Sequence, residues 1–357
     1  MSLTSASSSS DESDDNNMLF DILINLPSPR RFRVRSNPLE DYDDFDFKIR
    51  FRLSKETFMI LLHMIGENIE HKTLRNFSLS AEVQILIALR YYATGTFQAV
   101  LGDHIHVHKA TVCRIVKRVS LQIAQLRPQY IQFPNNTVQL QQIQARFYKL
   151  HGFPRVIGAI DCTHIRIQSP KNDIGEKFCN RKGYFSLNIQ AICDSQLKIM
   201  NIVARWPGSV HDSTIFDNSF IRAKFENNEF GNTFLLGDGG YPCRSYLLTP
   251  LLNPRTDAER KYQKAQIGTR NVVERLFGVW KRRFPVLAIG IRTKLSTTMN
   301  TIVATAVLYN ILLLQKDEIP LEEDNLVDNE LFEELPSIPT RQLGNAARSN
   351  LINHVFS

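Results

Sequence analysis

The chain has 357 residues, 43% of them hydrophobic and 22% charged, which is enough apolar material for one large domain or two unequal ones and excludes disordered and fibrous classes. The net charge of +7 conceals an asymmetry: residues 1 to 50 carry 6 Lys and Arg against 10 Asp and Glu, residues 316 to 357 carry 3 against 9, and the middle carries 34 against 17. A body this positive between acidic ends points to a polyanionic partner, DNA foremost, because solubility does not require a charge split of that size.

The five cysteines form no C-x-x-C pair and no zinc or disulfide pattern, so cytosol or nucleus is expected. The start, MSLTSASSSSDESDDNN, has no basic segment with an apolar stretch behind it, and no uncharged apolar run reaches the length of a membrane span. No association with a membrane is expected.

Residues 1 to 45 read as a mobile acidic tail. Residues 46 to 150 read as an all-helical region: Phe58, Leu61, Leu62 and Ile65 form one stripe, and Val83, Ile85, Leu86 and Leu89 form another behind Ser80. In KATVCRIVKRVS, Val112, Ile115, Val116 and Val119 follow the period of a buried helix face, leaving Lys109, Arg114, Lys117 and Arg118 on the other side. This helix, after the one around Ala81 to Tyr92 and the glycines Gly95 and Gly102, is expected to be the second half of a helix-turn-helix whose basic face contacts DNA. The alternating His104, His106 and His108 precede that helix and match no zinc spacing.

From Val156 the pattern turns to short β runs. VIGAID, YFSLNIQAIC and KIMNIVARW come first, the last two joined at Asp194 and Ser195. A helix opening near Ser209, the strand TFLLGD, an edge strand in SYLLTPLL and two helices, about 257 to 284 and 298 to 315, complete an α/β layer architecture with a mixed sheet over residues 151 to 316. Residues 317 to 357 read as a second acidic mobile tail.

Four acids fall where this layout turns strand ends into a cleft: Asp161 after VIGAI, Asp212 in WPGSVHDSTIF, Asp238 after TFLLG, and Glu274 in NVVERLFGVW. Each has an ordinary alternative alone, such as a turn for Asp161 or Asp238, a capping box with Ser209 for Asp212, and a helical pair with Arg270 for Glu274. Together they point to a metal site, since crowded carboxylates are tolerated when a cation neutralises them. Arg181 and Lys182, in a turn before the second strand, and Lys281, Arg282 and Arg283, ending the Glu274 helix, are expected to bracket the cleft as phosphate contacts.

The strings VIGAIDCTHIRI, NRKGYFSLNIQAICD, WPGSVHDSTIF, LLGDGGYP and NVVERLFGVWKRRFPVL resemble the successive blocks of the PIF/Harbinger transposase family, and the resemblance extends over about residues 50 to 315. It implies a ribonuclease-H-like DDE nuclease domain with Asp161, Asp212, Asp238 and Glu274 as metal-binding acids. Strand order favours Asp238 as the middle catalytic acid between Asp161 and Glu274, with Asp212 an accessory ligand or a cap. Carboxylate oxygens suit Mg²⁺ or Mn²⁺. The family further implies a Myb-like DNA-binding partner protein and a place in the nucleus as well as the cytoplasm. The alternative activity is that of a catalytically silent transposase descendant that keeps only its grip on DNA.

Overall fold

The computed structural model describes residues 37–71, 78–170, 175–318 and 342–357. Most of both expected tails, residues 1 to 36 and 319 to 341, lies outside the described residues. Capping chemistry organises the helical region. Asn37, Asp43 and Ser54 each accept a first-turn backbone N–H at the start of α1 (Pro38–Asp41), α2 (Asp44–Phe51) and α3 (Lys55–Ile69). Ser80 does the same for α4 (Ala81–Thr94), which stops at Gly95 in the left-handed conformation. There follow α5 (Gln98–His104), α6 (Lys109–Gln125), α7 (Arg127–Tyr130) and α8 (Thr137–His151).

Helix α6 buries Val112, Ile115, Val116 and Val119, and Ser120 and Ile123 extend the stripe. Its immediate predecessor is the short helix α5 rather than α4. In the turn between α5 and α6 the Val107 N–H donates to the Gly102 carbonyl at 2.9 Å, and a Cβ on residue 102 would stand 2.5 Å from the Val107 carbonyl oxygen. Only glycine allows that approach. His108 is the N-cap of α6, its Nδ1 accepting the Ala110 N–H, so one of the three alternating histidines has a structural task.

The sheet has the order β3-β2-β1-β4-β5, built from β1 (Val156–Arg166), β2 (Ser186–Cys193), β3 (Ile199–Pro207), β4 (Phe234–Leu236) and β5 (Leu247–Leu248). The first three strands pair antiparallel and the last two add in parallel. This is the mixed sheet expected of a ribonuclease-H-like domain. Asp194 closes the β2–β3 hairpin by accepting the N–H groups of Gln196 and Lys198 at 2.8 and 2.9 Å. All eight residues of β2 are buried, as a strand covered on both faces requires.

Between β3 and β4 run α9 (Asp212–Asp217) and α10 (Phe220–Glu226). After β5, Thr256 and Glu259 form a capping box at the start of the long helix α11 (Asp257–Arg283), and α12 (Val286–Ile289) and α13 (Leu295–Leu314) follow. Helix α13 is long and apolar enough to cross a membrane, yet most of it is buried against α6 and β3. Asn310, fully buried, pins it there: its amide donates to the carbonyls of Ile199 and Tyr130 and its oxygen accepts the Ile199 N–H.

Residues 37–357 group as one compact unit. Ser120 on α6 lies between Tyr92 on α4 (2.7 Å) and Thr301 on α13 (3.1 Å), so the helical region and the α/β layers share a core. Nor does the chain from residue 317 onward behave as a tail throughout. Helix α14 (Gln342–Val355) docks on α11, with Leu351, Ile352 and Phe356 buried and the Phe356 ring 5.5 Å from that of Phe153.

Asp317, expected as the first residue of that tail, is buried. It accepts the Ser54 N–H (2.7 Å) and the Thr57 hydroxyl (2.9 Å) and pairs with Lys48 (2.9 Å) and Arg283 (3.5 Å). Burial pushes its carboxyl up, but the bonds from Ser54, Lys48 and Thr57 outweigh that and hold it below its ordinary value. A carboxyl lowered in the fold contributes stability above its unfolded pKa and loses it as pH falls through the folded value. Asp317→Ala should therefore destabilise the chain by about 3 kcal/mol in urea at neutral pH, since it strands Arg283 in the interior. The difference from the unsubstituted chain should shrink in acid, and an Asp257→Ala control at an exposed helix start should change little.

Candidate metal centre

The parallel register sets the site. Ala159 of β1 pairs with Leu236 of β4, and two residues beyond each lie Asp161 and Asp238. The two aspartates are thereby brought side by side across adjacent strands. Strand β1 does not end at Asp161, as expected, but continues to Arg166 along β2, so Asp161 sits mid-strand on a rigid base. Asp238 is fixed in the turn after β4, where its Oδ1 accepts the Gly240 N–H at 3.0 Å.

Asp212 opens α9 but does not cap it. Its Oδ1 accepts from Asn188 Nδ2 at 2.8 Å, and the same amide donates to the Val210 carbonyl, so β2 holds the loop that delivers the acid. The capping box with Ser209 is not formed, because the Ser209 hydroxyl donates to the Lys177 carbonyl. One carboxylate oxygen from each of Asp161, Asp212 and Asp238 lies within 4.8 Å of the other two.

Glu274 is on α11, whose inner face packs on β1. It reaches the cluster through Arg270, one turn earlier: Nη2 of Arg270 donates to Glu274 at 2.5 Å and Nη1 to Asp161 Oδ2 at 3.1 Å. The helical pair of Arg270 with Glu274 is therefore present, but it points inward at the acids. Below them, Cys162 Sγ contacts the Tyr241 hydroxyl at 3.3 Å.

Burial, followed by the neighbouring Asp238, drives the Asp161 carboxyl well above its usual range, against the pull of Arg270. Asp238 is raised by burial and by Asp212. Three convergent hard oxygens, two of them on carboxyls whose anionic forms are disfavoured in the fold, are what a divalent cation stabilises, so these residues fit a divalent-cation site.

The expected phosphate contacts divide. Arg181 and Lys182 are exposed in a turn pinned by Asn180 Oδ1, which accepts the N–H groups of Lys182 and Tyr184, and Arg181 bonds the His211 ring beside Asp212. Arg282 is exposed about two turns beyond Glu274, with Lys281 half-buried beside it. Arg283, expected among these contacts, is instead only 8% exposed, donating to the Arg52 carbonyl and pairing with Asp317. On α6, Lys109, Arg114 and Lys117 are exposed, while Arg118 is half-buried and donates to Gln84 at 2.9 Å.

A family profile described as DDE superfamily endonuclease matches residues 160–310. The chain is 32% identical over 278 residues to the human protein named "Putative nuclease HARBI1", covering 77% of this chain and 79% of that one. The chain belongs to the Harbinger transposase-derived nuclease family. A Xenopus laevis protein of the same name is 28% identical over 77% of this chain and 80% of its own length, and the Arabidopsis thaliana "Protein ALP1-like" is 25% identical over 77% and 72%. No solved structure gives a significant match.

Sequence reasoning passed over two residues of the site in this family member. Asn188 was hidden inside an apolar run, where a buried amide without an obvious partner is the one available signal. Arg270 was noticed only as the helical partner of Glu274. Because Asp161 and Asp238 are raised in the fold, the metal-free chain gains stability as pH falls from neutral toward the carboxylate range and loses it as pH rises through their elevated values. Asp161→Asn should raise the melting temperature in chelator at neutral pH by about 2–4 °C, the effect of about 1 kcal/mol in a chain of this size. That gain should vanish when the scan is repeated in acid.

Proposed function

We propose that the chain is a divalent-metal-dependent DNA endonuclease of transposase descent. The observation that carries this reading is the convergence of Asp161, Asp212 and Asp238, delivered by three separate parts of the chain, beneath the helix that bears Glu274. Asp161, Asp238 and Glu274 take the catalytic places and Asp212 assists as a ligand. Asp161, Asp212, Asp238 and Glu274 would hold a pair of Mg²⁺ or Mn²⁺ ions, whose chemistry there would be to activate a water and stabilise the leaving 3′ oxygen of an in-line phosphodiester displacement.

The protein's own contribution is placement. Asp161 is fixed on a central strand, Asn188 aims Asp212, and the Gly240 N–H aims Asp238, so little reorganisation is left for the moment of reaction. Arg181 and Lys182 stand at the Asp212 side of the cleft and Arg282 farther along α11, where a phosphate backbone crossing the acids would meet them. The exposed Lys109, Arg114 and Lys117 of α6 offer a second contact, and a Myb-like partner would add to this grip in the nucleus.

Purified chain should nick duplex DNA in Mn²⁺ and Mg²⁺ and not in chelator. Asp161→Asn, Asp238→Asn and Glu274→Gln should each lower the nicking rate by about 100-fold or more while the far-ultraviolet spectrum is unchanged, since the metal supplies several kcal/mol to the transition state. Asp212→Asn, which keeps an acceptor for Asn188, should also lose most activity. Retention of activity in all four variants would take the active site away from these acids, and DNA binding without nicking by the unsubstituted chain would sink the reading in favour of a silent DNA-binding descendant. Replacing Lys109, Arg114 and Lys117 together by Ala should weaken DNA binding in a fluorescence titration and flatten its salt dependence by about 0.9 in log–log slope per lost phosphate contact. An unchanged slope would remove α6 from the DNA interface.

A further inference from the structure

A permanently charged side chain stands inside the acid cluster. Arg270 has a side chain only 10% exposed, and its guanidinium donates to Asp161 and to Glu274, which come from the sheet and from α11 respectively. Asp161 Oδ1 is already engaged, accepting the Cys162 N–H at 2.7 Å, and Oδ2 is the oxygen that Arg270 holds. A guanidinium cannot shed its proton, so it cannot leave the site by neutralising, as a lysine could. A cation that is to touch both Asp161 and Glu274 has to take its place, and meanwhile its positive charge opposes any cation approaching.

The same residue explains how the cluster survives without metal. Asp161, Asp212 and Asp238 crowd together, one carboxylate oxygen of each lying within 4.8 Å of the other two. Buried charges persist only when paired, and among the described residues Arg270 is the cation paired to this cluster. Its position one turn before Glu274 on an inward-facing helix does the work.

On the reading of this cluster as a metal site, we propose that Arg270 is a built-in counter-ion that holds Asp161 and Glu274 together in the metal-free chain and is exchanged for a divalent cation when the site loads. It is a positioning residue. It keeps the acids assembled, and it lowers the affinity of the site for metal by making every loading event a displacement.

The test is Mn²⁺ binding to the full chain, measured by calorimetry and by the metal-induced rise in melting temperature. Arg270→Gln should melt lower than the unsubstituted chain in chelator, bind Mn²⁺ at least about tenfold more tightly because a unit charge has left the site, and regain the lost melting temperature when loaded. Equal or weaker Mn²⁺ affinity in Arg270→Gln overturns the proposal. Should that variant not fold in chelator, the double variant Arg270→Gln with Glu274→Gln removes one charge of each sign and is compared with Glu274→Gln alone. Tighter binding by the double variant supports the exchange, and equal affinity overturns it. Absence of Mn²⁺ binding by the unsubstituted chain and by every variant rejects the metal site itself and the proposal with it, whereas tight binding that is indifferent to residue 270 rejects the exchange alone.

Discussion

The parallel pairing of β1 with β4 is the constraint on which the rest of the molecule depends. The pairing of Ala159 with Leu236 forces residues two places further along each chain to be neighbours, and both are aspartates. Antiparallel pairing would have sent the two strands away from that point in opposite directions. A parallel neighbour requires a crossover, and the chain between β1 and β4 supplies it with a hairpin, α9 and α10. Asp212 lies on that crossover, so the topology that permits the first two acids also delivers the third.

Such a site is costly to the fold that holds it. Asp161 is carried on a strand buried on both sides, where a carboxylate is poorly solvated and its neighbours are of the same sign. The structure answers with directed donors: Asn188 on Asp212, Gly240 on Asp238, Cys162 and Arg270 on Asp161. Asp317 shows the opposite balance in the same molecule. It is as buried as any of the cluster, but two cations and two hydrogen-bond donors converge on it, and the result is an anchor between α3, α11 and the end of α13.

Much of this was legible in the residues. Alternation of apolar and turn residues marks all five strands, the long helical stretch from about 257 to 284 marks α11, and the order of the acid-bearing blocks marks the family. The burial of α6 followed from Val112, Ile115, Val116 and Val119 alone. Other features depend on contacts between positions far apart in the chain. Nothing near Asp317 announces Lys48 or Arg283, which are distant in sequence, so an acid at the edge of a charged stretch reads as solvated. Arg283 in turn looks like the third member of an exposed basic run, because the turn of the helix that buries it is decided by α2 and α3. Helix α14 is masked by the polar composition of Gln342 to Ser349, and its apolar anchors appear only when Phe153 and Tyr262 are known to face it.

The contact between α6 and α13 has one more consequence. Ser120 is bonded to Tyr92 and Thr301 inside a shared core, and α13 is itself pinned to β3 through Asn310. No hinge separates the basic face of α6 from the sheet that carries Asp161. The two surfaces are fixed like marks on a ruler, so on the proposed function a duplex held at the first mark would present to the second a phosphate at a set number of base pairs away, and the cut would be placed by counting along the helix rather than by reading the bases at the cut.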